Sequence, residues 1–311
     1  MGLTDKLFEW LNPKDAKSNG KKAAMDTSPI LDIADFEAKM KAQELESYIP
    51  KIQPHLRQGI AIELSPMPTE EMPPGQSKIG GSPDLPSEQA WPLDERGAPL
   101  SFLAQINLRE SAPFDKAEEL PSEGMLSFFY CADQEAWGFD PKDKERFRVL
   151  YFPDTEYVER REFPAALNED AQYVNNSLNF SSYLGLPGWE NHRIEQLFPE
   201  EEDEVFDNYV DMSDGPDTHL LGHANSIQNP MELECQLVTN GLYCGDPSGY
   251  KDPRAKELGK GKDQWVLLFQ LDSEDSAEMM WGDVGRIYFW IKKEDLQQKR
   301  FDQAWMISQC H

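Results

Sequence analysis

The chain has 311 residues, 39% of them hydrophobic, so it can bury one large core or two modest ones. Its 57 acidic and 30 basic residues leave a formal charge of −27, which disfavours nucleic acid as a partner because phosphate backbones would be repelled. A charged partner is expected to be basic, and the alternative is an acidic surface kept for solubility.

The sequence contains no run of eighteen apolar residues and no apolar stretch followed by a small-residue cleavage site, so no membrane span is expected and the location expected is cytoplasmic. The four cysteines, Cys131, Cys235, Cys244 and Cys310, contain no C-x-x-C and are read as reduced and structural, with Cys244 as a loop cysteine flanked by turn residues.

Residues 1–27 read as an N-terminal tail and linker, with a short amphipathic piece followed by a Lys-rich stretch, and residues 28–311 as a single domain. Ser28-Pro29 suits a helix N-cap and first position. Ile33, Phe36, Met40, Leu45, Tyr48, Ile49 and Ile52 continue at roughly helical spacing, with a break expected near Pro50. Residues 60–64 (IAIEL) alternate like a strand and run into a Pro-rich loop.

Further strands are expected at 100–108, 124–131, 147–152, 232–238, 265–272 and 285–291, all rich in β-branched or aromatic residues. Helices are expected at 164–174, around 191–197 and after Lys293, and from Met231 if that segment is not a strand. Strands and helices do not alternate strictly, which favours an α+β class with antiparallel or mixed sheets and an N-terminal helix.

Three elements recur in the same order. KIGGSP (78–83), LSFLAQINL and LPSEGMLSFFY are matched by HLLGHA (219–224), WVLLFQLD and WGDVGRIYFWI. Each set places a glutamine, Gln105 or Gln270, before a Gly-led aromatic strand opened by Gly124 or Gly285. This pattern predicts two related halves, about 78–165 and 218–311, arranged as a pseudo-twofold. A buried glutamine at such a place can satisfy the backbone of a loop crossing a strand end. In Trp281-Gly282-Asp283, the aspartate is read as pinning a turn, with Gly285 at positive φ.

These motifs resemble the YwqG-like family, a widespread bacterial domain of unknown function. The resemblance rests on Gly80, Gly81, Pro83, Trp91 and Pro92 of GGSPDLPSEQAWP, on Gln105 and Gly124, on HLLGHANSIQ with His219, Gly222 and Gln228, and on Gln270, Trp281, Gly282, Asp283 and Gly285. It implies an α+β fold, structural roles for these residues and no established reaction. The resemblance also implies a likeness to immunity proteins encoded near polymorphic toxins.

Residues 195–217 hold ten carboxylates and neither Lys nor Arg, with aromatic residues threaded through them. Glu200, Glu201, Glu202, Asp203, Glu204, Phe206, Asp207, Tyr209 and Asp211 form the candidate partner-binding surface, because carboxylates with aromatics suit a basic protein partner. The alternative is a helix with an acidic outer face and buried aromatics. His219 and His223 lack the HExxH pattern, no nucleophile or phosphate-loop motif is present, and no metal, cofactor or catalytic residue is assigned. The expected function is a non-catalytic binding protein, an immunity protein or antitoxin that neutralises a basic toxin domain. The rivals are an enzyme with its site in a cleft between the halves, using Asp283, His219 or Gln270, and a housekeeping scaffold.

Overall fold

The computed structural model describes residues 28–189, Asn191, Ile194, Leu197, Phe198 and 203–311, with the side chains of Asp203 and Glu204 left aside. The tail at 1–27 and Glu200, Glu201 and Glu202 lie outside the described residues.

The first helix, α1, spans Ile33–Ala42 and is capped by Asp32, whose carboxylate accepts from the Asp35 amide at 2.9 Å. Ser28 therefore is not the cap; its hydroxyl accepts from Lys39 Nζ at 2.8 Å. The helix stops before Pro50 is reached, because Glu44 turns the chain at φ 61°. Pro50 instead sits in the first turn of α2, Ile49–Ile52, where its missing N–H leaves no helical bond unmade. Phe36, Met40, Leu45 and Ile52 are buried with Leu184, Leu186 and Tyr209 in a small second core.

The main body is a ten-stranded, wholly antiparallel sheet in the order β12-β11-β10-β9-β1-β8-β2-β4-β5-β6. At its centre β1, Arg57–Pro66, pairs with β8, Asn176–Gly185, over ten residues from Arg57↔Gly185 to Pro66↔Asn176. One wing carries β2 (Lys78–Ile79), β4 (Ser101–Asn107), β5 (Met125–Tyr130) and β6 (Phe147–Phe152). The other carries β9 (His219–Leu221), β10 (Trp265–Asp272), β11 (Arg286–Lys292) and β12 (Trp305–Gln309). A separate ribbon pairs β3, Asp84–Pro86, with β7, Val158–Arg160.

Aromatic rings hold the wings face to face. Phe128 lies 4.7 Å from Phe269 and 5.0 Å from Phe289, and Phe147 meets Trp305 edge-on at 5.4 Å. Because side chains alternate along a strand, these inward rings leave the neighbouring residues, such as Phe129 and Trp290, on the outer faces. The sheet thus curls until it is nearly closed around one aromatic core.

Several sequence expectations fail for identifiable reasons. Residues 232–238 take the helical alternative, as α4, Glu232–Val238, rather than the strand. Its alternation of Glu and apolar residues imitates a strand, but Met231, Cys235 and Val238 are buried at helical spacing and the Cys235 amide donates to the Met231 carbonyl at 2.9 Å. The helix expected at 164–174 reduces to a single 3-10 turn at Glu169–Ala171. The central strand β8 escapes notice because its Asn and Ser residues have low strand preference, and the ladder to β1 and β2 fixes it. The expected short helix after Lys293 is present at Lys293–Gln297, α5. The last sizeable helix is α3, Asp203–Ser213.

The turn at Trp281 is built differently from the sequence expectation. Positive φ falls on Gly282, at 60°, and Val284, at 48°, not on Gly285. The turn closes through the Gly285 amide, which donates to the Trp281 carbonyl at 2.8 Å. Asp283 is exposed, and among the described residues its carboxylate accepts no hydrogen bond, so it does not pin the turn. Gly285 is needed for close approach, since a Cβ there would lie 2.3 Å from the Gln309 carbonyl and 2.4 Å from that of Trp281. Gly285→Ala is expected to destabilise the fold by about 1–3 kcal/mol through overpacking, whereas Asp283→Asn should stay within about 0.5 kcal/mol of wild type; urea denaturation of both variants checks this.

Candidate functional site

Two buried glutamines organise the loops beside the inner strands. Gln105 on β4 accepts from the Asp84 amide at 2.8 Å and donates to the Gln76 carbonyl at 2.7 Å. Gln270 on β10 accepts from the Asn225 amide at 2.9 Å and donates to the Asp217 carbonyl at 2.8 Å. Each loop turns through two residues at positive φ, Gly80 and Gly81 in one and Leu221 and Gly222 in the other.

Behind these loops the polar groups differ. Lys78, opposite Gln105, forms an ion pair with Asp84 at 3.0 Å, both fully buried, and Arg160 Nε reaches the other carboxylate oxygen at 2.8 Å. Burial lowers the Lys78 pKa to about 8, with Asp84 pulling in the opposite direction. His219 stands opposite Gln270, with Nδ1 2.7 Å from the Pro216 carbonyl and Nε2 3.0 Å from that of His223. Two carbonyl partners favour the imidazolium, but burial is the larger effect and holds the pKa down to about 4. The His223 ring meets the His55 carbonyl at 2.8 Å, and burial, aided by Arg57, lowers its pKa to about 3. Both histidines are committed to backbone carbonyls, and among the described residues no group of three His, Cys, Asp or Glu could hold a metal ion.

The loop after β9 is fixed from several sides. The Asn225 carbonyl accepts from the Tyr288 hydroxyl at 2.7 Å and from Arg286 at 3.2 Å. Gln309 Oε1 accepts from the amides of Ile227 and Gln228, at 3.0 and 3.1 Å, and its amide donates to the Asn229 carbonyl at 2.9 Å. Gln228 in turn donates to the Cys310 carbonyl at 2.8 Å. Gly222, His223 and Ala224 of this rigid loop form one wall of a cavity of about 250 Å³. Trp265 and Trp290 on the outer face of the sheet and Leu233 of α4 form the others. Arg57, Lys262 and Lys293 bring positive charge to it, and Glu232 and Asp263 negative charge.

Residues 77–310 match the family described as a domain of unknown function, DUF1963. The chain belongs to the DUF1963 family. Among curated proteins none matches it.

Within the DUF1963 domain, the motif residues hold backbone in place. Trp91 donates from its indole N–H to the Leu100 carbonyl at 2.9 Å and lies edge-on to Phe129 at 5.8 Å; the Pro92 carbonyl accepts from the Leu100 amide at 3.0 Å. The Pro83 carbonyl accepts from the Arg161 amide at 2.9 Å, and Gly124 takes φ 103° beside Tyr151. Trp281 is buried, with its indole N–H donating to the Asp272 carbonyl at 3.1 Å.

The candidate partner surface divides into two sides. Asp207 and Asp211 are exposed on α3, one turn apart. Tyr209 is fully buried and donates to the Pro187 carbonyl at 2.6 Å, while Phe206 packs edge-on against Phe198 at 5.6 Å. Tyr209 therefore belongs to the second core rather than to a presented surface, while Phe206 is half-buried. Cys244 lies in a loop, as expected, but is buried there, and burial raises its thiol pKa to about 11.

The cavity was not legible in the sequence. Arg57, Lys262, Trp290 and Lys293 come from separate elements and share no motif; only the aromatic run around Trp290 drew notice, as a strand.

Both depressed histidines bind protons more weakly in the folded chain than in the unfolded one, whose value is 6.5. Their contribution is fully present above pH 6.5 and is lost as pH falls through about 4 and then about 3. Over that window His219 contributes about 3 kcal/mol and His223 about 5 kcal/mol. Urea denaturation from pH 7 to pH 4 should show this loss, and His223→Gln should flatten the slope.

Proposed function

We propose that this DUF1963 chain is a non-catalytic binding protein of the YwqG-like type, working in the cytoplasm, with the cavity beside the β9 loop as its ligand site. The observation that carries the reading is the use made of the motif residues. His219, Gln228 and Gln270 direct their side chains to backbone groups around the loop that walls the cavity, and Gly222 lines it. A wall fixed in this way is ready to receive a ligand without reordering, which lowers the cost of binding.

We further infer that the chain is built from two related halves. The sheet order mirrors itself about the β1–β8 pair, with β2-β4-β5-β6 on one side and β9-β10-β11-β12 on the other. The paired glutamine brackets support this, as do the register shifts between Phe102 and Ala104 and between Leu267 and Phe269. In this reading β8 completes the first half and β1 the second.

A second reading is favoured by the exposed carboxylates of α3: Asp207 and Asp211 would help an immunity protein mask a basic toxin domain, steering the encounter by charge.

The two readings separate experimentally. Ala224→Trp should fill the cavity, and small molecules released from the purified wild type and identified by mass spectrometry should be missing from the folded variant. Identical profiles would remove the cavity from the function. For the immunity reading, Asp207→Lys with Asp211→Lys should weaken protection against a co-expressed basic toxin in a salt-dependent way; unchanged protection would exclude α3 as the masking surface.

A further inference from the structure

The loop that walls the cavity leaves some of its backbone donors unused. On each wing a glutamine side chain accepts one loop amide, that of Asp84 on the first and that of Asn225 on the second. On the first wing the preceding residue is Pro83, which has no N–H, and the following one is Leu85, which pairs with Glu159 in the β3–β7 ribbon. On the second wing these places are held by Ala224 and Ser226, whose amides make no hydrogen bond among the described residues, nor does the Ser226 hydroxyl. The next two amides, of Ile227 and Gln228, are taken by Gln309. Ala224 and Ser226 both line the cavity.

Unpaired cations line it with them. Arg57 and Lys262 are half-buried, and among the described residues neither makes a hydrogen bond or an ion pair. Arg57 stands close enough to His223 in the wall to aid burial in lowering that pKa. Lys293 is exposed and donates to the Asp263 carbonyl at 3.1 Å. Against these three cations the lining sets Glu232 and Asp263, an excess of one positive charge in a chain of net −27. Glu119 is near enough to feel Arg57 and Lys293, but it does not line the cavity.

Two free amides, a hydroxyl and two unpaired cations are an excess of donors, and an unmet donor gains most from a charged acceptor. A phosphoryl group brings three acceptor oxygens and close to two negative charges near neutral pH, which matches Arg57 and Lys262 together, whereas a carboxylate brings one charge. Backbone amides in a concave surface suit such an anion. At about 250 Å³ the space falls below that of pockets for drug-sized molecules, so any substituent on the group is small.

We propose that the cavity binds a phosphoryl group, as inorganic phosphate or a small phosphomonoester, its oxygens on the amides of Ala224 and Ser226 and its charge met by Arg57 and Lys262. This rests on the cavity being the ligand site.

Calorimetric titration of the full chain with inorganic phosphate, glycerol 3-phosphate and acetate tests the proposal, with the amide signals of Ala224 and Ser226 followed by NMR. One-to-one binding of a phosphoryl probe is expected, shifting both amide signals. It should weaken at least about tenfold in Arg57→Ala and in Lys262→Ala, strengthen about threefold in Glu232→Gln, which removes a like charge, and vanish in Ala224→Trp, with thermal unfolding confirming that each variant folds. Tighter binding of glycerol 3-phosphate than of inorganic phosphate assigns the ligand to a phosphomonoester, and the reverse order assigns it to the free ion. Affinity unchanged in Arg57→Ala or in Lys262→Ala, or binding that leaves both amide signals in place, overturns the proposal. Acetate bound as tightly as phosphate, and lost in Ala224→Trp, overturns the ligand class and leaves the cavity as a site. No binding of any probe at millimolar concentration overturns the ligand class, and with identical released-molecule profiles for wild type and Ala224→Trp it removes the site as well.

Discussion

A buried loop can cross a strand end only if its backbone amides and carbonyls find partners, because an unpaired polar group away from water costs about 1–3 kcal/mol. In this chain one side-chain amide meets that need on each wing. Gln105 ties residues 76 and 84 together, and Gln270 ties residues 217 and 225 together, each amide both accepting and donating. Without these brackets the segments carrying β2 and β9 would leave backbone groups unsatisfied beside the core. The inner strands are only two and three residues long, too short to be held by their own ladders.

The wings then use the same scaffold for different ends. Around Gln105 the neighbouring polar groups are charged and paired, with Lys78, Asp84 and Arg160 forming a buried network that joins the β3–β7 ribbon to the sheet. Around Gln270 the groups turned to backbone carbonyls are the neutral His219 and Asn225, and Arg286 pairs with Asp217 and Asp272, each at 2.9 Å, nearer the surface. An ion network fixes its surroundings because breaking one partner strands a buried charge. The cavity lies beside the second bracket. Trp91, lying over Phe129, closes the outer face of the first wing, while on the second Trp265 and Trp290 are almost fully buried at the edge of the cavity.

Local chemistry announces some features and hides others. The aromatic strands β4, β5, β6, β10 and β11 were legible because bulky residues between turn residues have few other uses. The glutamines stood out because they recurred. β8 was invisible, since its Asn and Ser residues prefer turns and only its neighbours make it a strand. α4 was misleading, since alternating glutamates match a strand's period while the buried positions follow a helix's. Asp283 drew attention as a turn acid, yet the turn depends on the space available to Gly285 beside Gln309, which lies more than twenty residues away.

By itself the sequence determined the class of fold, the aromatic content of its core, the acidic surface and the repeated polar bracket, because each follows from residue type and spacing along a few neighbouring positions. Tertiary structure alone decided which faces turned inward, that Tyr209 left the acidic surface for the core, and that Arg57, Lys262, Trp290 and Lys293 came together around one cavity. The physical reason is distance along the chain. Strand pairing and curling of the sheet join residues more than two hundred positions apart, and no local pattern records which of them will meet.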